Sequence, residues 1–318
     1  MNLENLHDML NSYLTTREAI GLKDRRHRKL LKDFLQYVSK EHHAGPIPAQ
    51  LVVDWACSTP HPDAIASQSF RFRIARAFLI YVKTVVPETE IPPDRYLRAQ
   101  RRPTPCLFSR DNILRLIDCA GDLRSRGSLR PHTYRTIIGL LACTGLRASE
   151  AIGLRISDVQ LDLDPPVLHI FETKFRKSRL VPLHSTTAEV LRQYKKLRSE
   201  GRVVQPTDPF FVSAKGAPVP YYTLKNLFAR LVKRVGVAAA DHQRSPSLHS
   251  LRHSFAVQRL TIWYQEGRDV RSLAPNLSVY MGHAHLSASY WYLSASPDLL
   301  NAAAERFCFY NRKEGEHD

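Results

Sequence analysis

Six residues in the second half of the chain have the types and the order needed to work on a phosphate: Arg147, Lys174, His249, Arg252, His283 and Tyr292. The first five can bind or protonate a phosphate, and the last carries a hydroxyl that can attack one. Arg147 stands in T-G-L-R-A-S-E, where a Thr144-Gly145 turn hands the chain to a new helix whose first N–H groups favour an anion. A guanidinium fork can hold two non-bridging phosphate oxygens at once, a geometry that a lysine ammonium lacks. His249 and Arg252 lie three apart in L-H-S-L-R-H-S-F-A, so a helix puts both on one side where they can address a single phosphate. His253 then points elsewhere, toward the core or solvent. Lys174 falls in a polar connection from which a long side chain can deliver a proton, with Lys177 and Arg179 as nearby rivals. His283 follows a glycine placed to end a short helix, and Tyr290 and Tyr292 come seven and nine residues later. On a helix these two tyrosines would be about 200° apart, so one enters the pocket and the other leaves it.

Each residue also has an ordinary reading. Arg147 can pair with Glu150 one turn on. A lysine in a turn serves solubility, H-x-x-R recurs by chance at helical spacing, and Tyr290, Trp291 and Tyr292 can simply pack a core. These ordinary readings would have to hold together for six residues in a fixed order.

The elements that must position them begin with composition. A chain of 318 residues with 43% hydrophobic content has room for two domains with cores of their own. Its formal charge of +16 suits a polyanion, and DNA, RNA or an acidic membrane surface would all satisfy that term. The start, MNLENLHDML, lacks the pattern of a secretion signal, and no run approaches the roughly 18 apolar residues that span a bilayer, so a cytoplasmic location is expected. The five cysteines, at 57, 106, 119, 143 and 308, are odd in number and form no C-x-x-C pair. Neither a disulfide framework nor a zinc site is signalled, and buried free thiols are expected.

In the first hundred residues the readable elements are helical: 23–40, with Leu30, Leu31, Phe34, Leu35 and Val38 as an apolar stripe opposite a basic face; 49–57; and 64–85, with Phe70, Ile74, Ala77, Phe78 and Tyr81 inward. The basic run 23–32 is either a DNA-facing edge or a solvated face. Residues 87–105, rich in proline and arginine, read as an interdomain linker. Beyond it, helical spacing covers 111–120, with Ser109 as N-cap, and 133–142. Two β-rich runs, 167–171 and 179–183, flank the connection 172–178 as a hairpin would. Helices are expected again at 186–198, 222–235 and 249–264, with a last one within 298–310. The second domain is therefore mostly helical with a small antiparallel sheet.

Taken together, the six residues resemble the tyrosine recombinase, or phage integrase, family. Its signature is an arginine in T-G-L-R-x-S-E, a hairpin lysine, H-x-x-R, a histidine in G-H and a tyrosine nine residues later. The flank R-L-V-P-L at 179–183 matches too, and Y-W-Y-L-S-A-S-P-D-L-L is similar to recombinases carried by transposons. The resemblance is strong over 103–296. It implies a helical, SAM-like core-binding domain at 1–100 and an α+β catalytic domain at 103–318.

It also implies roles. Arg147 and Arg252 would hold the non-bridging oxygens, with His283 completing the phosphate contacts. His249 would take the tyrosine proton or steady the phosphate, Lys174 would protonate the departing 5′ oxygen, and Tyr292, selected over Tyr290 by the nine-residue rule, would form a 3′-phosphotyrosine. No ATP, cofactor or metal ion is called for. The implied partner is double-stranded DNA, bound by four protomers around two duplexes, with related recombinases as further partners and no membrane. The tail helix would dock on a neighbour or on its own domain. A type IB topoisomerase and a non-catalytic DNA-binding regulator are the alternatives. One departure is a long gap between Arg252 and His283, in which 265–275 reads as an inserted surface loop.

Overall fold

Apolar side chains three and four apart define the first unit. The computed structural model describes residues 3–22, 25–41, 45–59, 65–94, 96–97, 104–124, 127–171, 178–201, 203–240 and 243–282. The chain divides into two compact units, Met1–Arg102 and Pro103–Asp318. In the first, helices α1 (Leu3–Ala19), α2 (Arg25–Lys40), α3 (Ala49–Cys57) and α4 (Ile65–Lys83) surround one core. Helix α2 buries Leu31, Phe34, Leu35 and Val38 at the spacing of a single helical face. Helix α1, absent from the sequence reading, places Leu6, Leu10, Tyr13 and Leu14 in the same core, with Met9 packed against it.

Three expectations need correction, the last of them across both units. The inward face of α4 is Phe72, Ile74, Ala75, Phe78, Leu79 and Val82, whereas Ala77 is exposed, because this helix is apolar on more than one face and packing selects among them. The 87–105 linker is held down over its first part. The Glu90 carboxylate accepts from the Ala49 N–H at 2.9 Å, capping α3, and Arg76 donates to the Pro92 carbonyl at 2.8 Å. Thr89 is fully buried. Nor is burial a common account of the thiols: Cys106 is buried, Cys57 and Cys119 are intermediate and Cys143 is exposed, all of them free.

The second unit comprises α5 (Arg110–Gly121), α6 (Arg130–Thr144), α7 (Ala148–Ile152), β1 (Val159–Gln160), β2 (Val167–Ile170), β3 (Arg179–Pro182), α8 (Ser185–Ser199), α9 (Tyr221–Val235), α10 (Leu248–Gln265) and α11 (Val270–Met281). It is mostly helical with one small antiparallel sheet of order β1-β2-β3. Strand alternation sends Leu168, Ile170 and Val181 into the core and leaves Leu180 exposed, with Leu168 opposite Val181. Ser109 caps α5 by accepting from the Asn112 N–H. Helix α6 is buried on nearly every side and is packed by α5, α8 and α10.

The expected surface loop at 265–275 is mostly helix. Only residues 266–269 separate α10 from α11. Asp269 caps α11 by accepting from the N–H groups of Arg271 and Ser272, and Val270, Ala274, Leu277 and Met281 are buried. That burial and capping offset the hydrogen bond that Pro275 removes from the helix interior.

Candidate active site

Helix α6 must stop for the site to form. Gly145 ends it at φ 62°, in the left-handed region, and an added Cβ would meet the Phe255 ring at 2.5 Å. Leu146 is then buried, and Arg147 becomes the N-cap residue of α7.

From there the Arg147 guanidinium reaches in two directions. It donates to Glu150 Oε1 at 2.7 Å and to the Gly282 carbonyl at 2.8 Å. The Arg147 backbone N–H donates to Glu150 Oε2 at 3.0 Å. The ordinary reading of Arg147, a pair with Glu150, is thus present, yet the side chain keeps 30% of its surface exposed.

Arg252 approaches from α10. It is 1% exposed and donates to the Gly145 carbonyl at 2.6 Å and to the Met281 carbonyl at 2.7 Å. Arg179, at the start of β3, donates through Nε to the Tyr280 carbonyl at 2.9 Å and grips Glu150 with both ends of its fork, at 3.2 and 2.8 Å. Three arginines from three elements therefore sit on three successive carbonyls at the C-terminal end of α11. The negative end of a helix dipole favours cations at that place.

Glu150 is the hub. Its side chain is 7% exposed and each of its oxygens accepts two hydrogen bonds. Burial pushes its pKa up, but the hydrogen bonds from Arg179 and from the Arg147 N–H, the charge of Arg179 and the bond from the Arg147 side chain outweigh that and hold it below the usual carboxylate value. One carboxylate faces two guanidiniums, so the cluster keeps net positive charge.

His249 is exposed one turn before Arg252 on α10. His253, expected to point toward the core or solvent, is buried, and its ring meets that of His249 edge-on with centroids 4.4 Å apart. Residues four apart on a helix are neighbours, and that spacing was the available signal. Among the described residues Tyr280 is the tyrosine beside the cluster. Burial pushes its pKa up to about 12, with Cys143 adding to the rise and Arg259 and Arg179 opposing it. Its hydroxyl donates to the Pro182 carbonyl, which makes it a poor nucleophile.

Of the six candidates, the structure brings Arg147 and Arg252 to one helix end and sets His249 on the helix that carries Arg252. Lys174, His283, Tyr292 and its competitor Tyr290 lie outside the described residues, as does the tail helix. The flanks of two of them are described: Lys174 falls between β2 and β3, and His283 follows Gly282 in the chain. Sequence reasoning missed Glu150 as a hub and gave Arg179 as a rival to Lys174 and as the first residue of the R-L-V-P-L flank, with no partner for it, whereas Arg179 is taken up by Glu150 and the Tyr280 carbonyl.

Residues 108–298 match the phage integrase family model. The integrase/recombinase-type chain y4rB of Sinorhizobium fredii is 35% identical over 302 residues, covering 93% of this chain and 95% of its own length. The tyrosine recombinase XerC of Bacillus subtilis is 30% identical over 172 residues, covering 52% of this chain and 50% of its own. Among solved structures, the XerH site-specific recombinase in a post-cleavage complex with palindromic difH substrate has a TM-score of 0.68 at 19% identity, covering 95% of this chain and 84% of that one. The Tn1549 transposon integrase in complex with transposon right-end DNA has a TM-score of 0.66 at 15% identity, covering 94% and 99%. At such identities these structures share the fold.

Proposed function

The chain belongs to the phage integrase family, and on that premise we propose that it is a site-specific DNA recombinase, a strand transferase that cuts and rejoins duplex DNA through a tyrosine. The observation that carries the reading is the seating of Arg147 and Arg252 on the adjacent carbonyls of Gly282 and Met281, immediately before His283 in the chain. Two guanidiniums fixed at one helix end supply the electrostatics that a phosphoryl transition state requires.

In the proposed reaction the Tyr292 hydroxyl attacks the phosphorus of one strand and its proton passes to His249. The bond from phosphorus to the 5′ oxygen breaks, and that oxygen leaves with a proton from Lys174. Arg147 and Arg252 offset the charge gathered on the non-bridging oxygens, with His283 beside them. A 3′-phosphotyrosine and a free 5′-hydroxyl result. Because the phosphotyrosine retains the energy of the broken phosphodiester, attack by a 5′-hydroxyl from a second duplex reverses the step and exchanges strands without ATP. The first unit serves as the core-binding domain and the second as the catalytic domain, with four protomers around two duplexes. Likeness to the transposon integrase supports integration or transposition of a mobile element as the setting.

The test is covalent trapping on nicked duplexes tiled across the DNA that flanks the gene. Tyr292→Phe abolishes the adduct and Tyr290→Phe leaves it. An adduct that survives the change at Tyr292 removes that residue as the nucleophile.

A further inference from the structure

We propose that Arg179 is a positioning residue that cancels the charge of Glu150 and so leaves the positive charge of Arg147 available to the scissile phosphate. The inference rests on the recombinase reading and concerns a residue outside the six.

The geometry is specific. Arg179 and Glu150 are among the least exposed charged side chains of the unit, at 9% and 7%. They meet fork to fork, Nη1 on Oε1 at 3.2 Å and Nη2 on Oε2 at 2.8 Å, across 29 residues of sequence. Arg147 adds two further bonds to the same carboxylate. A carboxylate has about four lone-pair positions, and all four are then occupied. Had Arg147 been the sole partner, its charge would be neutralised by Glu150 and little would be left for a phosphate. With Arg179 present, the three charges sum to one positive unit, and Arg147 is the more exposed of the two guanidiniums.

Arg179 also ties down what surrounds the site. Its Nε holds the Tyr280 carbonyl. Its guanidinium lies against Gly282, where an added Cβ would be 2.6 Å from Nη1 and 2.8 Å from Cζ. One side chain thus joins the strand that leaves the Lys174 connection, the carboxylate that holds Arg147 and the helix end that precedes His283. Lysine could supply the charge but neither the paired fork nor the third bond.

The experiment compares the full-length wild-type chain with Arg179→Met, Arg179→Lys, Glu150→Gln and the double variant Glu150→Gln/Arg179→Met. Adduct rates are measured under single turnover on the tiled nicked duplexes, with DNA affinity and melting temperature in parallel. Arg179→Met slows adduct formation about 100-fold, comparable to removing one transition-state donor, while affinity moves little. The double variant, in which the unanswered carboxylate is gone, recovers about tenfold or more of that loss, the sign of coupling between charges in contact. A double variant no faster than Arg179→Met overturns the proposal, as does an Arg179→Met defect that lies in affinity. If Arg179→Met does not fold, Arg179→Lys and the neutral pair carry the comparison. A wild-type chain that forms no adduct on any duplex sinks the recombinase reading instead. Inorganic phosphate is then the probe: its stabilisation of the fold must fall in Arg179→Met and return in the double variant. Equal phosphate stabilisation in those two variants rejects it.

Discussion

Gly145→Ala should be markedly more damaging than Gly236→Ala, although both glycines end a helix in the left-handed region, at φ 62° and 78°. Any L-residue with a side chain loses about 1–2 kcal/mol on entering that conformation. At Gly236 nothing lies within 4 Å of an added Cβ, so that loss is the whole effect. At Gly145 the methyl would stand 2.5 Å from Phe255 Cδ1, about 1 Å inside a normal carbon contact. Phe255 has no easy retreat, because it is buried and stacks on Tyr280 with centroids 5.8 Å apart. Forcing an extra carbon into such packing costs about 1–3 kcal/mol. Gly145→Ala should therefore lose about 2–5 kcal/mol in total, against about 1–2 for the control. In urea, with a slope near 2 kcal/mol per molar, the difference between the two variants is about 0.5–1.5 M in midpoint. Both sites belong to the same unit, so one transition reports on both. The functional readout follows: a displaced Phe255 pushes on Tyr280, whose carbonyl seats Arg179, and the Gly145 carbonyl itself seats Arg252. Adduct formation should fall in Gly145→Ala and hold in Gly236→Ala. Equal midpoints for the two variants would refute the steric account of this glycine.

Gly282→Ala places its methyl against the Arg179 guanidinium rather than against a ring, and should cost adduct formation a larger factor than it costs urea stability, measured on the same preparations. Tyr280→Phe tests the hydroxyl of this half-buried tyrosine. The folded pKa is raised from 10 to about 12, so the contribution of this group is complete below pH 10 and is lost as pH rises toward 12. The variant should show a flatter fall of melting temperature across that window, and an unchanged alkaline limb would mean that the hydroxyl is not held in its protonated form. Glu150→Gln tests the opposite case. Its carboxylate is held below 4.5, so its contribution is complete above that pH and disappears as pH falls through the lowered value. The variant should lose stability at neutral pH and lose less of it on acidification, as read by melting temperature against pH.

Much of the fold was legible because local patterns decided it. The bounds of α3 coincide with the expected 49–57, Ser109 does cap α5, and the two β-rich runs pair as an antiparallel hairpin. Helix α11 was not legible because the residues just before it, E-G-R-D at 266–269, and Pro275 inside it carry the signs of a loop. Burial of Val270, Ala274, Leu277 and Met281 overrode them, and burial of that kind depends on tertiary partners that the segment itself does not name.

The site divides in the same way. Donors were readable, since Arg147 and Arg252 have letters and stand in quotable motifs. Their acceptors, and that of Arg179, were not, because the carbonyls of residues 145, 280, 281 and 282 are backbone and any residue supplies one. What does mark them in sequence is the pair of glycines. Gly145 and Gly282 each close a helix where a Cβ has no room, and each offers a carbonyl to an arginine from a distant element. A glycine beside a functional arginine or histidine, as in T-G-L-R and M-G-H, thus marks where a helix must end for its last carbonyls to be shared. The identity of the side chains at residues 280 and 281 matters less to the arginines than the place where α11 stops, since a helix one residue longer would turn its terminal carbonyls by about 100° and move them about 1.5 Å along the axis. That displacement is half the length of the hydrogen bonds that hold the cluster, enough to release all three guanidiniums together.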